Sequence, residues 1–318
     1  MKSIAQPILF SLLQTGIGAV VIPVGLISAW KVASKKKLRP FFIGMAGYLL
    51  FVCLLKFIPD LFVTGDTSIG MLMKDKVIQL NFYESLIVTF LFVFGAFTFL
   101  KFFYMKYSEK QYAVTFAIGF AGAGTIVNLG FRFFKYHFYG NLINLAIEKK
   151  DDSILKGAEE IYKEIKNITI TYISASSISQ VFMFILETSV VIMLFYAVRA
   201  RKIYEKAVED DEAAKGTWLE NAVPMRIVMF AGAFLFAGQY PYNLIYNRYI
   251  TSMGHIIACE VICGIISVAA GLVAKNMYDH LSGKSVKYDA PEAKKKRNIA
   301  SHAKKKLSNI EIDEESDK

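Results

Sequence analysis

Ionisable and metal-ligating side chains are rare inside the long apolar stretches of this sequence. The clearest are Glu187, in the segment QVFMFILETSVVIMLFY, and the later pair His255 and Glu260. A charged group in an apolar environment costs several kcal/mol unless it is paired, so each such residue is a functional candidate. We therefore predict Glu187, Glu260 and His255 as the candidate catalytic residues. The alternative for Glu187 is a structural hydrogen bond to a neighbouring helix.

His255, Cys259 and Cys263 recur every four residues, which places them on one face of a helix. Imidazole and thiolate groups are zinc ligands. However, the rise of a helix separates the first and last of these residues by about 12 Å, too far for one tetrahedral ion. We therefore predict no metal site and no cofactor, with the cysteines acting as small apolar packing residues.

Two other motifs could bind a ligand through neutral groups. The segment GFAGAG contains Gly119, Gly122 and Gly124, and small residues at this spacing let helix backbones approach closely. These glycines indicate either helix packing or a site for an extended peptide. In AGQYPYN, Gln239 and Pro241 could break a helix and expose its carbonyl groups. We predict Glu187, Gln239 and the three glycines as the binding residues.

The elements that carry these residues are seven apolar stretches, each long enough to cross about 30 Å of hydrocarbon. The chain has 318 residues, of which 54% are hydrophobic, and its mean hydropathy is +0.39. We predict an all-α bundle of about seven transmembrane helices. Its spans are Ile8–Trp30, Pro40–Val63, Phe82–Met105, Ala113–Phe134, Ser174–Val198, Arg226–Tyr246 and Ser252–Lys275. Arg132 lies near the end of its span and is predicted to be an anchor that reaches the membrane surface.

The net charge of +10 is concentrated in the connectors and the tail. The connectors that follow the first, third and fifth spans are basic, as is the segment after the seventh, whereas the other connectors are balanced or sparse in charge. Basic connectors mark the cytoplasmic side, so the pattern predicts an outside N-terminus and an inside C-terminus. We interpret the charge as a topology signal and predict no nucleic-acid partner. We expect a multi-pass protein of the cell membrane, specifically a bacterial plasma membrane.

Two segments differ from the spans. Residues 141–167 contain apolar residues at helical intervals (Ile154, Ala158, Ile161 and Ile165) with charged residues between them. This pattern predicts an amphipathic helix that either lies on the outer leaflet or caps the bundle. We assign residues 1–279 to the transmembrane bundle. Residues 280–318 are rich in both charges, and we predict a disordered cytoplasmic tail.

The order of segments resembles the YhfC-type family of intramembrane peptidases, which are relatives of the CAAX-processing and PrsW-like proteases. The resemblance covers most of residues 8–275. It includes Pro23 followed by GLISAWK, then RPFFIGMAGYLLF in the second span and FYAVRARK at the end of the fifth span. It implies a membrane-embedded peptidase scaffold.

The same resemblance shows where this chain departs from the family pattern. Members carry a Glu-Glu pair and an Arg in the third span, where this chain has Thr98 and Phe99. The fourth span would carry a His and a Glu, but GFAGAGTIVN has neither. A family His falls near Glu187, and a His-to-Asp pair falls near Leu235 and Gln239. The resemblance thus implies a scaffold that lacks the expected catalytic residues, that is, a pseudoenzyme.

We therefore predict a non-catalytic protein that is embedded in the lipid bilayer and binds a membrane protein or peptide. Two alternatives remain open. One is an active peptidase that uses Glu187 with Glu260 or His255 in a rearranged site, because peptide hydrolysis needs a water activated by a carboxylate or a metal. The other is a small-solute transporter lined by Glu187, Gln239 and Glu260.

Overall fold

A computed structural model describes residues 1–64, 76–103, 107, 109–210 and 218–281. Side chains at 60–64, 202–210 and 218–222 are not part of this description. Of the predicted charged tail, residues 280–318, all but the first two residues lie outside the described residues. Over the described ranges the secondary structure is helical and contains no strand.

Seven helices in the described part of the chain are long and apolar enough to cross a membrane, which confirms the predicted all-α fold. The spans, numbered first to seventh below, are Gln6–Ser34, Arg39–Pro59, Val77–Phe103, Lys110–Lys149, Ile170–Arg201, Val223–Tyr246 and Met253–His280. The fourth and fifth spans are central, with 72% and 67% of their apolar windows buried, whereas no other span exceeds 33%. These two central helices therefore position most of the buried side chains.

The second and fourth spans each contain one π-helical turn. In the second, Arg39–Tyr48 is α-helical, Leu49–Leu54 is π-helical and Leu55–Thr64 is α-helical again. In the fourth, Lys110–Thr125 is followed by the π-helix Ile126–Phe131 and then by Arg132–Lys149. The helices of the fifth and sixth spans extend beyond those spans, as Ile170–Asp210 and Trp218–Tyr246.

The fourth helix is much longer than the sequence predicted. It continues beyond Phe134 to Lys149, so that the whole element measures about 60 Å at 1.5 Å per residue. The extension stays helical because it packs against the start of the first span. Gly140 lies against the side chain of Leu9, and the ring of His137 hydrogen-bonds the carbonyl of Leu9 at 2.8 Å.

The first part of the predicted amphipathic segment, residues 141–149, belongs to the fourth helix, and the rest folds back onto that helix as two short helices, Asp152–Gly157 and Glu159–Ile165. The Asp151 side chain caps the first of them by accepting hydrogen bonds from the backbone N–H groups of Ser153 and Ile154. Ala158, Ile161 and Ile165 are buried in a cluster with Leu9 and Ile143. The apolar face therefore packs against the bundle instead of facing lipid.

The sixth helix does not break at Pro241, contrary to the expectation from the AGQYPYN motif. It is continuous from Trp218 to Tyr246. Neighbouring spans supply donors around the proline: the Asn81 side chain donates to the carbonyl of Tyr240 at 3.1 Å, and the Cys263 thiol contacts the carbonyl of Gly238 at 3.6 Å. Such contacts let a membrane helix tolerate proline.

Candidate functional site

A chain of neutral hydrogen bonds crosses the centre of the bundle. The hydroxyl of Tyr242 donates to Oε1 of Gln180 at 2.6 Å, and Nε2 of Gln180 donates to Oγ1 of Thr125 at 3.2 Å. All three residues are buried. These hydrogen bonds therefore link the sixth, fifth and fourth spans at one level through uncharged groups.

A second set of contacts joins the two π-helical turns. Tyr48 directly precedes the π-helix of the second span, and Asn128 lies within that of the fourth. Nδ2 of Asn128 donates to the Tyr48 hydroxyl at 3.2 Å, while the Tyr246 hydroxyl donates to the carbonyl of Asn128 at 3.3 Å. Because π-helical turns occur frequently at functional sites, this junction is part of the candidate site.

Arg132 is half-buried and lies at the C-terminal end of the sixth span. Its Nε donates to the Tyr136 hydroxyl and its Nη1 to the carbonyl of Tyr246, both at 3.0 Å. The guanidinium also lies 4.1 Å from the centroid of the Tyr246 ring. The fourth helix extends well past Arg132, but Tyr246 ends the sixth span, so the anchor role of Arg132 stays a prediction. Arg132 caps the C-terminus of the sixth helix, where the helix dipole favours a cation.

The third span extends the polar network on the other side of the sixth. Nε2 of Gln239 donates to Oδ1 of Asn243 at 2.8 Å, and Nδ2 of Asn243 donates to the Ser85 hydroxyl at 3.0 Å. Ser85 in turn donates to the carbonyl of Asn81 at 2.7 Å. The predicted binding residue Gln239 is therefore buried and bonded to the chain's own amides.

Glu187 lies deep in the bundle, where its side chain is 4% exposed. Among the described residues, its Oε2 atom has no hydrogen-bond partner. The carboxyl group lies within electrostatic range of the hydroxyls of Tyr48 and Tyr242. Glu187 therefore adjoins the neutral network but is not bonded to it.

The other two catalytic candidates are not brought to Glu187. The fifth and seventh helices run parallel, since Ser267 donates to the carbonyl of Phe182 and Gly271 faces Ser189. Glu187 is thus level with residues 267–271, and Glu260 lies at least about 10 Å away along the seventh helix by its rise. His255 is even further along the same helix and is exposed. The residues of the proposed rearranged acid site do not converge.

The three predicted glycines contact the chain's own helices. A Cβ atom added at Gly119 would lie 2.1 Å from the carbonyl oxygen of Phe41. At Gly122 and Gly124, it would lie 2.8 Å from Pro23 and 3.0 Å from the ring of Tyr48. The packing interpretation accounts for all three glycines, and these contacts leave no room for an extended peptide beside them.

A lateral cavity of about 250 Å³ opens between the first, fourth and fifth spans. Thr125 and Gln180 line it and also belong to the neutral hydrogen-bond chain. Sequence reasoning did not find this cavity. The available signal was a set of isolated polar residues, Gln14, Thr15 and Ser177, in otherwise apolar spans.

Comparison with known proteins identifies a family. A family model described as YhfC intramembrane metalloprotease matches residues 18–208, more than half of the chain. No curated protein and no solved structure matches this protein. The matched region begins within the first span and contains the second to fifth spans, including both π-helical turns, Arg132 and Glu187.

Proposed function

Because this chain belongs to the YhfC intramembrane metalloprotease family, we propose that it is a non-catalytic member that binds a membrane-embedded protein or peptide. The proposal rests on the composition of the buried centre. Its hydrogen-bonded core consists of amides and hydroxyls that bond to one another, namely Tyr242, Gln180 and Thr125 on one side and Gln239, Asn243 and Ser85 on the other. In the described part of the chain, Glu187 is the one carboxylate residue among the buried side chains.

The residues present do not fit the metal that the family description implies. A catalytic zinc ion needs three protein ligands that converge on one point. Within the described ranges, no group of three or more His, Cys, Asp or Glu side chains is placed to hold a metal ion. Glu187 alone could not fix an ion and its bound water, so no hydrolytic step through a metal is supported by these side chains.

Apolar packing at two of the positions that the family resemblance assigns to catalysis, Phe99 and Leu235, also supports the proposal. Phe99 packs edge-on against Phe51, with ring centroids 5.6 Å apart, and Leu235 is fully buried in the main apolar cluster. Close by, the rings of Phe92 and Phe120 meet at 4.8 Å. A water molecule activated for hydrolysis needs polar partners, and these side chains offer none.

The buried network is suited to bind a peptide instead. An amide side chain both donates and accepts hydrogen bonds, and a hydroxyl does the same. A partner's main-chain N–H and C=O groups need such neutral partners wherever a helix is locally unwound in the membrane. Gln180 and Thr125 present these groups at the floor of the lateral cavity.

We expect the purified protein in liposomes to leave a transmembrane peptide uncleaved, with or without added zinc. The Glu187→Gln variant should behave identically, because no metal or water is activated by that carboxyl group. Mass spectrometry of the peptide measures cleavage. Photo-crosslinking in native membranes should join both the wild-type chain and the variant to a membrane protein. Peptide cleavage that Glu187→Gln stops would overturn the proposal.

The orientation proposed for the chain is an outside N-terminus in a bacterial plasma membrane. Lys37 lies in the connector after the first span, and Lys150 follows the long fourth helix; both are exposed. In a variant without the native cysteines, Lys150→Cys should react with a membrane-impermeant thiol reagent added to intact cells. Lys37→Cys should react only after the membrane is opened. The reverse pattern would invert the proposed topology.

A further inference from the structure

The lateral cavity opens towards the hydrocarbon of the bilayer. Its rim carries apolar side chains on the outer surface of two spans: Ile22 of the first span is 41% exposed and Val181 of the fifth is 43% exposed. Ile17 and Ile178, which flank the rim, are both 47% exposed. A ligand therefore has direct access to the cavity from within the membrane.

The lining changes from polar to apolar along the axis of the first helix, which is also the direction in which lipid chains extend. Gln14, Thr15 and Ser177 line the end of the cavity nearer the beginning of the first and fifth helices. Ile22 and Phe184 line the opposite end, which is about 12 Å deeper by the rise of the first helix. A lipid in the same leaflet has this arrangement, with its polar linkage near the surface and its acyl chain towards the midplane.

The chemistry of the lining selects an uncharged molecule. Among the described residues, the side chains around the cavity include two amides and three hydroxyls but no acidic or basic group. A phosphate buried here would have no cationic partner, and an unpaired buried charge is costly. An ester or hydroxyl group, by contrast, pairs well with glutamine and threonine.

Free hydrogen-bonding capacity is present at the polar end. Gln14 is exposed although it lies in a membrane span, so its side-chain amide is accessible to a ligand. The Ser177 hydroxyl donates to the carbonyl of Ile173 at 2.7 Å and lies 3.4 Å from the Thr15 hydroxyl, so Thr15 can turn its hydrogen to a ligand by giving up only this long contact. An apolar cavity of about 150 Å³ holds a benzene-sized group, so a volume of about 250 Å³ accommodates part of one acyl chain with its linkage.

We propose that this cavity is a binding site for a neutral lipid, one that carries an ester or hydroxyl group but no phosphate. The acyl chain lies against Ile22 and Phe184, and the linkage bonds to Gln14 and Thr15. Because Gln180 lines the cavity and accepts from Tyr242, the lipid directly contacts the buried network. This lipid and the peptide of the proposed function would both contact Gln180 and Thr125, so the test includes competition between the two ligands.

The test uses the full chain in nanodiscs with a photoactivatable diacylglycerol, and in parallel with phosphatidylglycerol carrying the same acyl chain. Diacylglycerol gains a hydrogen bond in the cavity, whereas phosphatidylglycerol would leave its phosphate unpaired. We therefore expect at least about fivefold more labelling by the neutral lipid. Labelled residues should map to the first and fifth spans. Gly18 lines the cavity and has no atom within 4 Å of an added Cβ, so Gly18→Leu should fill the space and abolish the preference.

Gly25→Leu is the matched control, because Gly25 lies on the same helix, also faces open space and does not line the cavity. It should retain wild-type labelling. Thr15→Val keeps the shape but removes the hydroxyl, so it should lower labelling by diacylglycerol more than labelling by phosphatidylglycerol. Equal labelling by the two lipids in the wild type would overturn the proposal. So would displacement of the label by a transmembrane peptide but not by unlabelled diacylglycerol, since that result would assign the cavity to a peptide.

Discussion

Replacing Gly119 with alanine is expected to lower the free energy of unfolding by about 3 kcal/mol, at the upper end of the usual cost of overpacking. The added methyl group would lie 2.1 Å from the carbonyl oxygen of Phe41 and 2.9 Å from its Cα atom. Both are backbone atoms, so no side-chain rotation can relieve the contact and the second and fourth spans must separate. Denaturant unfolding in detergent micelles measures the loss.

Gly25→Ala provides the comparison for this experiment. No atom lies within 4 Å of a Cβ added at Gly25, so we expect a change of at most about 1 kcal/mol, towards greater stability, because alanine restricts the unfolded chain. Gly44→Ala should resemble Gly119→Ala, since its Cβ would lie 2.4 Å from the carbonyl oxygen of Phe116 in the same helix crossing. If Gly119→Ala and Gly25→Ala are equally stable, the two backbones are not in contact.

The second large effect is expected for Arg132→Ala, which should destabilise the fold by about 3–5 kcal/mol. The substitution removes two charge-assisted hydrogen bonds, each of which contributes about 1.5–3 kcal/mol, and the contact with the Tyr246 ring. It also leaves the C-terminus of the sixth helix without its cation. Thermal unfolding of the purified variant, followed by circular dichroism, measures this change.

Arg132→Lys should recover only part of the stability, because an ammonium group cannot donate to Tyr136 and Tyr246 through one rigid fork. Lys135→Ala is the control, since Lys135 is an exposed cation one turn further along the same helix. A Lys135→Ala variant as unstable as Arg132→Ala would mean that general helix charge, and not the cap on the sixth helix, determines the effect.

The seven spans could be predicted because the signal is local. A run of about 20 apolar residues is sufficient to cross the hydrocarbon, whatever its neighbours are. The end of the fourth helix could not be predicted in this way. The segment after Phe134 carries Lys135 and His137 and reads as a polar connector, but it remains helical because the first span packs against it. Its length therefore depends on tertiary contacts.

The same distinction explains the outcome at the candidate site. The burial of Glu187 can be understood from the sequence, because a lone acid in an apolar helix must avoid lipid. Its neighbours Tyr48 and Tyr242 could not be predicted, because tyrosine in a membrane helix gives no sign of which way it faces. The pairing of Arg132 with Tyr246 joins residues that are 114 positions apart, and spacing within a helix cannot reveal such a contact.

The two π-helical turns also affect how this chain is compared with its relatives. A π turn holds an extra residue compared with an α turn, so the helix beyond it is rotated relative to a uniform α-helix. Wherever a relative lacks the turn at Leu49–Leu54 or Ile126–Phe131, a gapless alignment pairs residues that point in different directions. Equivalent positions beyond each turn must then be matched by the helix face they occupy, with a one-residue gap in the alignment.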